Sequence, residues 1–193
     1  MTESEIQNPR LRELAEATQA ARAQAKLVVG SLSRAQLDWQ PAPGRWSVGQ
    51  CLEHLLISSE AMEKAVRPKL AAARQNQGAA SSQEWKPSFV GGLLVKSVDP
   101  VTGKRKVKTG RVFMPGPVAR PDVLAAFERS LDMLNGLLRE ADGVDLARVR
   151  VTSPMSWFVR YHAGDALTIT VVHLKRHLDQ AERVKAEPGF PGT

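Results

Sequence analysis

The 193-residue chain is 42% apolar and 24% charged, the balance of a globular protein long enough to bury one core, and one domain over 1–193 is expected. Its single cysteine, Cys51, excludes an intramolecular disulfide, and no apolar run approaches the roughly 20 residues needed to span a bilayer. The polar start "MTESEIQNPRLRELAEATQ" has no apolar core of a signal peptide, so a cytoplasmic protein with no membrane partner is expected.

Asn8-Pro9 sets a capping residue before a proline at the first helical position. Leu11, Leu14, Thr18, Ala21, Ala25 and Val28 follow at spacings of three and four, which predicts a first helix ending near Gly30. Pro41, Pro43 and Gly44 mark a connecting loop. A second helix is predicted from "WSVGQCLEHL", where Ser47 and Gln50 have the spacing of a capping box and Leu52, Leu55, Leu56, Met62 and Val66 form an inward stripe. Pro68 is expected to kink or end it.

Residues 75 to 120 carry no helical pattern. "RQNQGAASSQ" is polar and small, hence flexible, and the β-branched residues around Asp99-Pro100 and Thr102-Gly103 suggest a short irregular hairpin. Between residues 96 and 120, seven cations (Lys96, Lys104, Arg105, Lys106, Lys108, Arg111, Arg120) face one acid, Asp99; this segment supplies nearly all of the net charge of +7. No aromatic-interleaved basic motif accompanies it, so solvated surface is expected and nucleic acid is not an expected partner. A third helix opens at Pro121-Asp122 and runs through Leu124, Phe127, Leu131, Leu134 and Leu138 to about Ala141. A mixed segment follows, whose Trp157, Phe158 and Tyr161 are expected to close the end of the bundle rather than wall a cavity. The fourth helix is predicted from about Asp165, its cap, to Glu187. The pattern predicts an all-α protein, a four-helix bundle with a long, partly irregular crossover between the second and third helices.

Histidines supply the candidate chemistry. His173 and His177 lie one turn apart, separated by roughly 40° in azimuth and 6 Å in rise. Leu167, Thr170, Leu174, Ala181 and Val184 put the pair on or beside the buried face. Alone, that spacing is a weak signal. His54 strengthens it, lying beside Leu52, Leu55 and Leu56 on the second helix, because three buried imidazoles without partners are costly and one shared metal satisfies a nitrogen on each. His162, in the loop before the fourth helix, is read as a surface or loop-packing residue.

"PGRWSVGQCLEHL", the "TGRVFMP" segment and the final "VVHLKRHLDQAERV" together resemble the DinB family, the stress-induced YfiT-like helical-bundle metalloproteins, over nearly the whole chain. The resemblance implies an up-down-down-up bundle with His54, His173 and His177 as metal ligands; Gln50 stands where a glutamate is more common. It implies a metal-dependent hydrolase or a low-molecular-weight-thiol transferase acting on a small molecule, and a homodimer. The alternative is a non-catalytic, metal-stabilised, stress-related binding module. Three histidines suit zinc or nickel and leave at least one coordination position open, where water or a thiol can be activated.

Around that site, Gln180 is a candidate to orient an imidazole from behind, with helix packing as its alternative. Glu53 is expected to be a solvated carboxylate, Cys51 a small buried hydrophobe and Trp46 a structural plug.

Overall fold

A computed structural model describes residues 6–76, 85–101 and 109–192. The side-chain oxygen of Asn8 accepts from the backbone N–H groups of Arg10 and Leu11, with Pro9 at the first position, and α1 (Pro9–Val29) runs to the predicted stop. A short α2 (Arg34–Asp38) follows, capped by Ser33. The predicted capping box opens α3 (Val48–Asn76): the Gln50 N–H donates to Ser47 Oγ at 3.1 Å, and the Ser47 N–H donates to Gln50 Oε1 at 3.0 Å. Pro68 does not end this helix, which continues two further turns. Val66 and Leu70 flank it and are buried, so tertiary packing outweighs a proline cost of about 3 kcal/mol.

The absence of a helix between 75 and 120 is corrected by α4 (Phe89–Val98). Gly91-Gly92 and the β-branched residues hide it, because their intrinsic helix propensity is low. Packing supplies the reason for it. Gly91 lies so close to α6 (Ala163–Lys185) that a Cβ there would fall 2.1 Å from Asp165 Oδ2. Asp99 sits at the end of α4 instead of in a strand, and residues 111–113 form a 3-10 turn, so no described residue of this segment is in the expected hairpin. Its Thr102-Gly103 turn lies outside the described residues, as does most of the stretch read as flexible; Arg74 to Asn76 close α3.

The observed hairpin is elsewhere. After α5 (Val123–Ala141), β1 (Arg150–Ser153) pairs antiparallel with β2 (Ser156–His162), with Val151 opposite Tyr161 and Thr152 opposite Arg160. Alternation along β2 turns Tyr161 into the core, but Trp157 and Phe158 are 83% and 72% exposed. They do not close the bundle end: Phe158 is on the outward face and Trp157 sits by the turn, past the edge of the core. Trp85 is buried against Gly164 at the start of α6.

Asp165 is not itself the cap of α6. From one turn inside, it accepts from the His162 N–H at 3.2 Å and from the Ser88 N–H and hydroxyl at 3.1 and 2.6 Å. This fully covered carboxylate joins the start of α4 to the start of α6, with the half-buried His162 packed beside it.

The protein is mostly helical, with this small two-stranded sheet. α3 packs against α5 and α6, and α1 packs against the same two. Arg22 pairs with Asp132 and Lys26 with Glu128, so α1 and α5 run in opposite senses. Gln24 bonds Asp179 and Lys185 reaches the Val28 carbonyl, so α1 and α6 run together. Leu11, Leu52, Leu55, Phe127, Leu138, Leu167 and Leu174 fill the space between the four.

Candidate metal centre

Tyr161, just before α6, reaches Met62 in the middle of α3, while His54 near the start of α3 meets His173 and His177 further along α6, so the two helices run in opposite senses. One nitrogen from each histidine lies within 4.8 Å of the others, and His54 Nε2 is 3.2 Å from His173 Nε2. The outer nitrogens explain why the inner ones converge. His54 Nδ1 donates to the Phe113 carbonyl at 2.8 Å, and His177 Nδ1 donates to Gln180 Oε1 at 2.9 Å. A carbonyl oxygen only accepts, so each Nδ1 carries the proton and each Nε2 keeps its lone pair. Two lone pairs therefore face a third imidazole in a largely covered space, a donor set that fits a divalent cation.

Burial sets the protonation state. His177 is pushed down to about 2 by burial first and by the charges of His173 and His54 next, with its bond to Gln180 acting the other way. His173 is pushed down to about 3 by burial, then by His54 and Arg176. His54 is lowered by burial against the opposing pull of the Phe113 carbonyl. All three are neutral at pH 7, the form that ligates. In the metal-free protein the unfolded chain binds more protons than the folded one below about pH 6.5. Stability is thus full above that value and falls as pH drops toward about 3. Urea midpoints from pH 7 to pH 4 should decline, and less steeply for His173→Gln than for the wild type.

The surroundings correct one sequence expectation and locate another. Glu53 is not solvated but 7% exposed. The loop before α5 lies across its face of α3: the Arg120 N–H donates to Glu53 Oε1 at 2.6 Å, and the guanidinium reaches both carboxylate oxygens at 2.9 and 3.2 Å. Trp46 packs on the site itself, its ring 4.7 Å from that of His54 and 5.6 Å from that of His177. Gln50 donates to the Gly116 carbonyl at 2.8 Å, a second tie on the loop that presents Phe113.

Sequence reasoning missed Phe113 and Arg120. Phe113 acts through its backbone, which leaves no mark on residue type, and Arg120 read as one more charge of a basic segment. Cys51 is fully buried, and burial raises its thiol to about 12, so it packs as a hydrophobe as expected.

Comparison with known proteins bears on what this arrangement is. No curated protein and no solved structure matches the chain. The family model of the DinB superfamily matches residues 17–181, a span that holds all three histidines, Glu53 and Gln180, and the chain accordingly belongs to the DinB superfamily.

Proposed function

We propose that the protein is a divalent-metal enzyme, with His54, His173 and His177 as ligands and Gln180 holding the His177 ring in its tautomer. The helices are read as an up-down-down-up four-helix bundle that presents this triad from α3 and α6. One observation carries the reading: the two outer nitrogens are bonded to oxygen acceptors while the inner nitrogens converge. When bound, zinc or nickel supplies a Lewis acid for a metal-dependent hydrolase or a low-molecular-weight-thiol transferase.

The chain's own groups do the rest. Trp46 covers one side of the triad and excludes water from His54 and His177. His173 keeps some exposure, so a small substrate approaches past it. Glu53 is committed to Arg120 and holds the loop in place; it is not a general base. The test is turnover of ester, amide and thiol-transfer substrates by the metal-loaded protein. Activity in the wild type that drops at least about 100-fold in His173→Ala supports the enzyme. Stoichiometric metal without turnover on any of them favours the non-catalytic, stress-related module.

A further inference from the structure

Among the described residues, every exposed large hydrophobic side chain except Leu27 and Met133 lies either between Phe89 and Val118 or on the β1–β2 hairpin. Two groups dominate. The hairpin carries Met155, Trp157 and Phe158, the last two in edge contact at 5.7 Å. The outward face of α4 carries Phe89, at 89% exposure, with Val90 and Leu93. These groups are neighbours, since α4 packs against β2 as well as α6.

Charge follows the same surface. Lys86, Lys96, Arg150 and Arg160 are exposed, and the sequence has no acid from Trp85 to Val98 or from Leu146 to Gly164. Strand register puts Arg150, Phe158 and Arg160 on one face of the hairpin. Aromatic and aliphatic side chains edged by cations, on stretches that carry no acid, match the boundary between acyl chains and anionic headgroups.

We propose that the hairpin and α4 form a docking surface for an anionic lipid bilayer, with Trp157, Phe158 and Leu93 entering the interface and Arg150 and Arg160 meeting phosphates. No described helix is long and apolar enough to cross a membrane, so the contact is peripheral. This replaces the expectation of no membrane partner, which considered spanning segments and a signal peptide. A second copy of the chain fits less well, because a symmetric contact presses two basic faces together. Nucleic acid fits less well because the apolar surface extends beyond the stacking aromatics to the exposed aliphatic side chains Val90, Leu93 and Met155, which a base or phosphate does not cover.

The experiment is sedimentation of the full chain with vesicles of phosphatidylcholine alone and of equal parts phosphatidylcholine and phosphatidylglycerol. Binding only to the anionic vesicles is expected, weakening with salt. Trp157→Ser with Phe158→Ser, or Arg150→Glu with Arg160→Glu, should each lower the affinity about tenfold or more. Leu27→Ser, exposed but outside the surface, should leave it unchanged. Circular dichroism establishes that the variants fold, as substitutions at exposed positions should. Three results overturn the proposal: no binding to anionic vesicles at low salt; a dimer that the aromatic substitutions dissociate; or an oligonucleotide complex lost on arginine reversal but indifferent to the aromatic changes.

Discussion

Zinc or nickel added to the metal-free protein at about 100 times its dissociation constant should raise the melting temperature by about 5–10 °C, and His173→Ala should abolish that rise. Binding only to the folded state at that excess contributes about 2.7 kcal/mol, and a domain of this size gains roughly 2–4 °C per kcal/mol. The geometry explains why a single substitution has so large an effect. His54 comes from α3 and the other two from α6, so an ion held by all three would tie two helices together, and His173 is the ring 3.2 Å from His54. The loss should show in the metal-dependent increment and not in the metal-free melting temperature, since His173 is the least covered of the three. Differential scanning calorimetry separates the two. An equal metal-induced rise in the variant would place the ion elsewhere.

Arg120→Ala is the second substitution with a large expected effect. It leaves the Glu53 carboxylate covered by protein with its guanidinium partner gone, and loss of a charge-assisted bond of this kind costs about 2 kcal/mol. Arg120 itself is 47% exposed, and solvent screening keeps the cost well below that of a fully buried pair. The consequence for the site is larger than the loss of stability suggests. Arg120 and Gln50 hold the loop whose Phe113 carbonyl fixes the proton on His54 Nδ1. With that loop released, His54 samples both tautomers and metal affinity should fall by about 10–100-fold. Urea denaturation and competition with a chelating dye measure the two effects, and Arg120→Lys should recover part of the stability. Unchanged metal affinity in a destabilised Arg120→Ala would mean that the loop supports only the fold.

What the sequence made legible follows from how local each signal is. Asn8, Ser47 and Gln50 sit within three residues of the backbone groups they satisfy, and the helix starts they predict agree with the structure. The convergence of the histidines was legible because the turn between His173 and His177 is local and the leucines beside His54 give its direction. The misses depend on contacts distant in sequence. Nothing near Glu53 announces that a residue 67 positions later will cover it. α4 has a local cap in Ser88, which accepts from the Gly91 N–H, but the contact that seats it is distant: the Asp165 carboxylate meets Ser88 across 77 positions. Trp157 and Phe158 failed for a different reason: aromatic residues usually belong to a core, and these project from a hairpin whose inward positions are held by Val151 and Tyr161.

Metal content by elemental analysis, on tag-free protein purified without added metal, tests the central claim most directly. The wild type should carry close to one zinc or nickel per chain, and both His54→Ala and His177→Ala, confirmed as folded, should carry almost none. A wild type that holds no metal even after reconstitution, or variants that keep it in full, would contradict the cross-helix site.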